Sequence, residues 1–471
     1  MSGVLLATVP SEVRNFNPNL GQLYLAASLR RAGIDVRLLD LASLYGPGDV
    51  DTLVAAIEEQ QPEILGFTLY TETVLYGYDL IGSLEDRTGL CVVAGGPHAT
   101  AEPAEVLKHG FDVVVLGEGE KTLVDLVRVL RSGGDLADVA GLAWSDDDGS
   151  LQTSPPRALP GDLDVLPNPL DVLDLIDRDR YVPPGGAVLP PIITSRGCPG
   201  RCTFCSNDVS GKRYRFHSAG RVIEEVRGWQ AGGGAAAVFF QDTAFTAHRR
   251  RTLELCGHLE NLSPAISWVC KSRCDQIDRK LAMAMAAAGC TAVFFGAESG
   301  SDAVLERVGK GITTADIEKS VEITHGAGIG AYIHIMVGFH DETVAELAAT
   351  GALMERLAPL VKGFPTGGIL LPYPGTDIYR SQHAVLGCSR WWLDRRRMDC
   401  INVPVRSPGG AAPASVGDII AMHAAIENAF LAAEVVPYSR EVRAAIERCL
   451  TLRRTLNRRI LEQQPAGATP A

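Results

Sequence analysis

Hydrophobic and polar positions alternate in blocks through the first third of the chain. Short and almost uninterrupted apolar runs predict buried strands, and longer stretches with one apolar face predict helices between them. Apolar strands joined by helical crossovers form parallel sheets with helices on both faces. We therefore expect an α/β domain with a doubly wound parallel sheet over residues 1–150. Its strands are predicted at 4–7, 36–41, 64–68, 91–94 and 113–116.

The carboxyl ends of these strands carry glycine and polar residues. Open parallel sheets bind ligands at that edge, and glycine there lets a bulky ligand approach the backbone closely. His98 is better explained as a cap of the following helix or as a support of the GGP turn than as a metal ligand. Glu118 and Glu120 are better explained as carboxylates favoured at a helix start than as catalytic acids. The candidate ligand-binding residues are Thr68, Tyr70, Gly95, Gly96, His98, Gly117, Glu118 and Gly119.

Residues 151–186 have a different composition, with seven prolines and few long apolar runs. Proline at this density predicts an extended and semi-rigid connector that ends the first domain.

Strand and helix signals resume at residue 187 and continue to 385. Six successive strand-helix units predict a partial parallel (β/α)6 barrel, in which functional residues lie at the carboxyl ends of the strands. A mostly helical region is expected over 386–463 and a disordered tail over 464–471. The barrel strands are predicted at 191–195, 235–241, 266–271, 291–295, 331–337 and 367–371.

Charge and composition narrow the class of protein. The formal net charge of −12 argues against a nucleic-acid binder, which needs a basic face. No apolar run approaches the roughly 18 residues that span a bilayer, and the first residues lack the basic region of a signal peptide. Most of the 11 cysteines are scattered singly, as is typical of a reducing cytosol. We expect a cytoplasmic protein without membrane or nucleic-acid partners.

Three cysteines form the most distinctive cluster of the sequence. Cys198, Cys202 and Cys205 follow the first predicted barrel strand within eight residues. Iron-sulfur clusters normally take four cysteine ligands, so three thiolates on a 4Fe-4S cluster leave one iron open to a substrate or cofactor. Zinc would need a further ligand close by, but the next histidine, His217, comes twelve residues after Cys205.

The Cys-x-x-x-Cys-x-x-Cys run, with Phe204 before its last cysteine, resembles the signature of the radical S-adenosylmethionine (SAM) superfamily. The segments NPNLGQLYLAASLRRAG, AGGPHAT and LGEGEKTL resemble the N-terminal, Rossmann-type cobalamin-binding domain of one branch of that superfamily. The chain lacks the Asp-x-His-x-x-Gly loop that supplies a histidine to cobalt in other cobalamin proteins. The resemblance implies a 4Fe-4S cluster on the three cysteines, SAM, and possibly cobalamin at the edge of the first domain.

The resemblance also assigns residues at the ends of the barrel strands. Arg273 could instead pair with Asp275 on its own loop, and Asp242 and Glu298 could be structural carboxylates. The turn VGFHDET has His340 where the family usually has proline, which makes His340 a candidate catalytic residue. Glu298 is the second candidate. The residues implied to bind SAM are Gln241, Asp242, Lys271, Arg273, Glu298, Ser299, Gly338, Pro374 and Gly375.

The chemistry that the resemblance implies is reductive cleavage of SAM to a 5′-deoxyadenosyl radical, which takes hydrogen from a C–H bond of a small, natural-product type molecule. Cobalamin-dependent C-methylation is the first hypothesis. A cobalamin-independent dehydration or rearrangement of a polyol or aminosugar is the second, and a cluster-based or corrinoid-based sensor is a third, from another class of protein. A flavodoxin or ferredoxin is the expected electron donor.

Overall fold

A computed structural model describes most of the chain as far as residue 393. The described residues are 3–10, 17–42, 49–84, 87–181, 189–233, 235–339, 341–364, 368–383, 389–393, 422 and 424. The candidate catalytic residue His340 lies outside them, as do nearly all of the predicted helical region 386–463 and the whole tail 464–471. The chain divides into two compact units, the first within 1–182, 188–199 and 206–235 and the second within 183–187, 200–205 and 236–471.

The first unit contains a seven-stranded sheet with the order β2-β1-β3-β4-β5-β6-β7. Strands β1 to β5 are parallel and correspond to the five predicted strands, and β6 and β7 are antiparallel additions. These additions form a hairpin closed by a turn in which Gly149 has a φ of 81°. The strands are β1 Val4–Thr8, β2 Val36–Leu39, β3 Ile64–Thr68, β4 Cys91–Gly95, β5 Val113–Val115, β6 Leu142–Ser145 and β7 Leu151–Thr153.

Helices of the first unit bury their apolar faces against this sheet. Asn19 caps the first helix by accepting a hydrogen bond from the backbone of Gln22, and Leu23 and Leu29 then lie in the core. The helices are α1 Leu20–Arg31, α2 Asp49–Gln60, α3 Val74–Gly82, α4 Pro97–Ala101, α5 Pro103–Lys108, α6 Glu120–Ser132 and α7 Ala219–Gly233.

The predicted connector is more ordered than its prolines suggest. Strand β7 carries the first sheet past the predicted boundary at residue 150, and 3-10 turns follow at Leu163–Val165, Pro169–Leu175 and Arg178–Tyr181. Val172 is fully buried in the core cluster with residues of α1. The expectation of an extended connector is wrong for this stretch because its spaced apolar side chains have a core to enter.

The first predicted barrel strand is divided into two short pieces, β8 (Pro191–Ile192) and β9 (Ser195–Arg196). Strand β9 pairs antiparallel with β10 (Arg215–Phe216), so a hairpin brings together the two ends of the stretch that carries the cysteines. Gly197 follows β9 with a φ of 80°, and an added Cβ there would overlap the carbonyl oxygen of Arg213. Only glycine fits this close approach of two backbone segments.

The second unit contains four strands that pair in parallel, in the order β11-β12-β13-β14. The sixth predicted strand is reduced to a single parallel bridge between Val337 and Ile369, and its residue Gly367 is outside the described part. The elements are β11 Ala237–Phe240, α8 Arg249–Glu260, β12 Ser267–Ser272, α9 Arg279–Ala287, β13 Cys290–Glu298, α10 Asp302–Arg307, α11 Thr314–Gly326, β14 Gly330–Ile335, α12 Val344–Leu357 and α13 Asp377–Gln382. No helix in the described part of the chain is long and apolar enough to cross a bilayer.

Gly197→Ala tests the hairpin. Gly133 offers a matched control, since its φ is 65° but an added Cβ would meet no atom within 4 Å. A left-handed alanine costs roughly 1–2 kcal/mol, so Gly133→Ala should lose about that much. Gly197→Ala should lose clearly more because it adds a backbone overlap. Urea unfolding of the two variants measures the difference, and equal losses would contradict the close approach at Gly197.

Candidate functional site

The second unit holds the cysteine segment 200–205 through backbone contacts. The amide nitrogen of Thr203 donates to the carbonyl of Val308 at 2.9 Å, and its own carbonyl accepts from Ile378 at 3.0 Å. Gly309 has a φ of 65°, and an added Cβ there would lie 2.8 Å from the carbonyl oxygen of Arg201. The residues that follow α10, together with the start of α13, therefore fix the segment that carries Cys202 and Cys205.

The three thiols differ in exposure, from buried Cys198 through half-buried Cys202 to exposed Cys205. Three soft sulfur donors within eight residues fit an iron-sulfur cluster, and a side that reaches the surface suits an iron with an open position. These residues would hold the cluster.

A buried ion pair lies close to this segment. Lys310 Nζ donates to Glu298 Oε1 at 2.7 Å, and the side chains are 7% and 11% exposed. Burial alone would lower the pKa of Lys310, but the charges of Glu298 and Cys202 outweigh it and raise that pKa. The ammonium group also lies 5.9 Å from the ring centre of Phe204. Lys310 therefore brings a fixed positive charge to the surroundings of the cysteine thiolates.

The Gly-x-Glu-Ser-Gly stretch has the backbone that this pair requires. Glu298 has a φ of 70° at a register shift between β13 and β14. An added Cβ at Gly296 would lie 2.5 Å from the Glu298 carboxylate and 3.0 Å from Lys310 Nζ. Ser299 is fully buried and hydrogen-bonds Thr350 at 3.2 Å. Glycine at 296 is thus required by the ion pair, and Ser299 anchors the stretch to α12.

One face of the sheet in the second unit is half-exposed and aromatic. Phe294 lies 5.5 Å from Phe239 and 4.6 Å from Tyr332 between ring centres, and Lys271 Nζ lies 5.5 Å from the ring centre of Phe239. His334 extends the row at 5.9 Å from Phe294. Residues between these, such as Cys270 and Phe295, are fully buried on the other face. We call this set the interior row; it comprises half-exposed Phe239, Lys271, Phe294 and His334 and buried Tyr332.

Both basic groups of the interior row have weakened basicity. Burial lowers the pKa of Lys271, with Asp242 opposing it, and burial lowers the pKa of His334, with Glu298 opposing it. A lowered pKa favours the neutral form of His334, which can both donate and accept a hydrogen bond. The row offers an apolar surface with two adaptable polar groups, as ligand sites commonly do.

The remaining residues predicted to bind SAM have partners of their own within the second unit. Arg273 makes a two-pronged pair with Asp275 at 2.9 and 3.0 Å and donates to the carbonyl of Lys310. Asp242 is 1% exposed, with Arg251 at 3.9 Å. Gln241 and Gly375 are half-exposed, and Pro374 is buried. Their contacts with SAM stay a prediction.

The turn after β14 contains a buried carboxyl group. Glu342 Oε2 accepts from the amides of Gly338 and Phe339 at 2.6 and 3.1 Å, whereas Oε1 has no hydrogen-bond partner in the described part of the chain. Burial raises the pKa of Glu342 to about 7, although those two amides oppose the shift. Gly338, with a φ of 85°, is thus held by the carboxyl group four residues later.

The ligand edge of the first unit brings together several of its predicted residues. Thr68 lies beside Gly95 in the register of β3 and β4, and Tyr70 is 44% exposed. An added Cβ at Gly95 would meet only Val115, at 3.8 Å, so internal packing does not require glycine there. The absence of a side chain at residue 95 therefore leaves room for a bulky planar ligand at this edge of the sheet. In that respect the edge fits cobalamin.

His98 has no free nitrogen for a metal. It is fully buried, with Nδ1 at 3.1 Å from Thr71 and Nε2 at 3.3 Å from Glu105. Gly96 has a φ of 94°, and an added Cβ would lie 3.0 Å from the carbonyl of Leu69. Both residues shape the turn between β4 and α4, and Gly96, not His98, is the N-cap residue of α4. This favours a role in fixing the turn over cobalt ligation for His98.

Two family models match separate parts of the chain. The B12 binding domain model matches residues 7–127, and the Radical SAM superfamily model matches residues 192–354. A relative from Pyrococcus horikoshii, described as an uncharacterized methyltransferase, is 34% identical over 387 residues that cover 80% of this chain and 82% of the relative. The chain belongs to the radical SAM superfamily, in the branch with an N-terminal cobalamin-binding domain. The predicted family and fold class are thereby confirmed.

Two further comparisons show how broad this branch is. An anaerobic magnesium-protoporphyrin IX monomethyl ester cyclase from Rubrivivax gelatinosus is 26% identical over 366 residues, which cover 76% of this chain and 65% of the cyclase. The solved structure of the radical SAM methyltransferase TsrM from Kitasatospora setae, with cobalamin and a 4Fe-4S cluster, has a TM-score of 0.68 at 22% identity and covers 80% of this chain and 74% of TsrM. The likeness to TsrM shows a shared fold.

The protein is therefore a radical SAM enzyme with three cofactors, a 4Fe-4S cluster, SAM and cobalamin. The hypothesis of a sensor is wrong because the family model and the relatives are those of enzymes. When bound, the cluster would supply an electron to SAM, and cobalamin could carry a transferable group.

Two features of the site were missed in the sequence. Lys310 follows no strand directly, and its partner Glu298 lies twelve residues earlier, so local spacing does not mark the pair. The interior row could be predicted only in part. Phe294 and Gly296 lie two residues apart on β13 and therefore on the same face of the sheet, and both are half-exposed. The sequence of β13 is apolar on both faces, so it does not indicate which of the two faces is open.

Lys310→Met should destabilise the enzyme without its cofactors by about 3–5 kcal/mol, because it leaves the buried Glu298 carboxylate without a cation. Arg307→Met is the control, since Arg307 pairs with Glu346 at 3.2 Å and is 35% exposed, and it should cost no more than about 1 kcal/mol. Thermal unfolding by calorimetry measures both. The double variant Lys310→Met/Glu298→Leu should recover stability. Equal losses in Lys310→Met and Arg307→Met would contradict the ion pair.

Glu342 gives the enzyme a pH-dependent stability. Between pH 4.5 and about 7 the folded state keeps the Glu342 proton while the unfolded state loses it, so stability falls as pH rises through that window. Glu342→Gln cannot lose a proton, and its stability relative to the wild type should therefore increase by up to about 3 kcal/mol between pH 4.5 and 7.5. Unfolding midpoints across that range test this, and a constant difference would rule out the raised pKa.

Proposed function

We propose that the enzyme transfers a methyl group from SAM, by way of cobalamin, to a carbon atom of a small natural-product type molecule. The interior row carries the proposal, because it presents three aromatic rings together with His334 and Lys271, whose pKa values burial lowers, at the face that a substrate would reach. The cobalamin-binding domain and the relative described as a methyltransferase support it.

In this proposal the protein binds and orients the substrate and leaves the bond making to its cofactors. Phe239, Phe294 and Tyr332 would pack against an apolar or planar part of the substrate. His334 would hold a polar substituent by a hydrogen bond, and Lys271, which lies beside Phe294 in the register of β12 and β13, would bind an acceptor group. Exclusion of water by the rings would protect a carbon-centred radical from side reactions.

The alternative is a radical rearrangement or ring-forming reaction, which the cyclase from Rubrivivax gelatinosus keeps open. The cobalamin-independent form of that alternative loses support, because the chain retains the cobalamin-binding domain. Either reaction needs a low-potential electron donor, for which we infer a flavodoxin or ferredoxin.

The two reactions differ in what they leave of SAM. Methyl transfer leaves S-adenosylhomocysteine, and radical formation leaves methionine and 5′-deoxyadenosine. Protein reconstituted with iron and sulfide, then reduced with titanium(III) citrate, should form both products when hydroxocobalamin is present. Omitting hydroxocobalamin should abolish S-adenosylhomocysteine and preserve 5′-deoxyadenosine.

The product pattern, read by mass spectrometry, also shows how this proposal fails. If 5′-deoxyadenosine forms but S-adenosylhomocysteine does not, with or without hydroxocobalamin, methyl transfer is wrong and the rearrangement gains support. A variant that lacks Cys202 should form neither product, which controls for cleavage by the reductant alone.

A further inference from the structure

Two arginines lie directly opposite each other in the strands β9 and β10, which flank the cysteine loop, residues 197–214. Arg196 on β9 and Arg215 on β10 are paired residues in the antiparallel hairpin of the first unit. Like charges in opposed positions destabilise a strand pair, and these two side chains are only 10% and 1% exposed. The hairpin therefore needs counter-charges from elsewhere.

Glu118 and Glu120 supply those counter-charges. Arg215 donates to both oxygens of Glu118 at 3.0 and 2.6 Å. Arg196 donates to Glu120 at 2.6 Å and lies 3.4 Å from Glu118. Two cations and two anions give a neutral group, which we call the Arg-Glu cluster, and burial strengthens each of its bonds.

The same arginines hold the stem of the cysteine loop. Arg196 precedes Cys198 by two residues, and the amide of Cys198 donates to the carbonyl of Gly211 at 3.4 Å. Arg215 also donates to the carbonyl of Ser210 at 2.9 Å. A change in either arginine therefore reaches the backbone on both sides of the cysteines.

The two glutamates belong to the ligand edge of the sheet. Glu118 lies between Gly117 and Gly119, in the turn that joins β5 to α6, and Glu120 is the first residue of α6. Gly117 has a φ of 74°, and an added Cβ would lie 3.5 Å from the carbonyl of Val209 in the cysteine loop. The turn at the ligand edge of the sheet therefore lies against the segment that follows the three cysteines, and both belong to the first unit.

Tyr24 of α1 adds a third contact to the group. Its ring centre lies 4.9 Å from the Arg196 guanidinium, and its hydroxyl lies 3.4 Å from Nε2 of His217. His217 Nδ1 in turn lies 3.0 Å from Asp164. The hairpin is consequently tied to the first helix and to the 3-10 turn at Leu163–Val165 as well as to the ligand edge.

We propose that the Arg-Glu cluster couples cobalamin binding to the ordering of the cysteine loop, with Glu118 and Glu120 as positioning residues. A ligand seated against residues 117–119 restrains the turn, the glutamates restrain Arg196 and Arg215, and the arginines restrain the loop stem. By thermodynamic reciprocity, a loop ordered by its cluster must bind cobalamin more tightly. The inference goes beyond the proposed methyl transfer and does not depend on which bond the enzyme makes.

The test measures the dissociation constant of hydroxocobalamin by equilibrium dialysis, for the full chain without a cluster and after anaerobic reconstitution. The wild type should bind hydroxocobalamin about fivefold or more tightly when the cluster is present. Glu120→Gln should lower that ratio clearly towards one, because it removes the closer of the two carboxylates that hold Arg196 and leaves only Glu118 to pair with both arginines. Asp174→Asn should keep the wild-type ratio, since Asp174 pairs with Arg30 at the surface.

Hydrogen exchange gives a second readout on protein without a cluster. Adding hydroxocobalamin should slow exchange in residues 206–216 of the wild type and of Asp174→Asn, but not of Glu120→Gln. If Glu120→Gln fails to fold, Glu120→Gln/Arg196→Gln replaces it, because the double variant leaves no unpaired charge.

A wild-type ratio of one, or a wild-type ratio retained in Glu120→Gln and in the double variant, would overturn the coupling. That result would leave the formation of S-adenosylhomocysteine untouched. Conversely, the loss of S-adenosylhomocysteine would overturn methyl transfer without changing the binding ratio, so the two proposals fail separately.

Discussion

The constraint on which this structure depends is the neutralisation of charge that is buried around the cysteine loop. An unpaired ion in a protein interior costs several kcal/mol, so each buried cation must be accompanied by an anion of good geometry. Arg196 and Arg215 meet Glu118 and Glu120 in the first unit, and Lys310 meets Glu298 in the second. Local backbone features, such as the left-handed Glu298 and the glycine at 296, follow from placing these pairs.

This constraint explains why the conspicuous motifs of the chain are not simply ligand contacts. The LGEGE segment contributes its glutamates to the Arg-Glu cluster, and the Gly-x-Glu-Ser-Gly stretch contributes Glu298 to Lys310. In both cases a glycine provides close backbone approach while the neighbouring carboxylate provides charge. Such a motif positions a loop that carries ligands, which is a different role from binding the ligand itself.

The sequence predicts the strands of both units because their apolar runs are short, regular and separated by helical patterns. It does not reveal β6 and β7, since the prolines after Thr153 suggest a connector where the chain still follows the sheet. Local patterns also do not reveal which charges meet. Glu118 and Arg215 are 97 residues apart, and only the folded chain brings them to 2.6 Å. The pairing of Arg273 with Asp275 could be predicted from the sequence, because the two residues are only two positions apart.

The distribution of charge also bears on the chemistry that the interior row can support. The charged pairs lie at the ends of strands and in loops, whereas the row itself presents rings and two groups of lowered basicity, Lys271 and His334. A carbon-centred radical is lost to an easily removed hydrogen atom, and the strong ring C–H bonds of Phe239 and Phe294 do not supply one. Because the pairs neutralise one another outside the row, the row can stay apolar while the cysteine loop beside Lys310 remains polar. The separation of paired charge from aromatic surface therefore lets the second unit hold segment 200–205 beside Lys310 and still present an aromatic face.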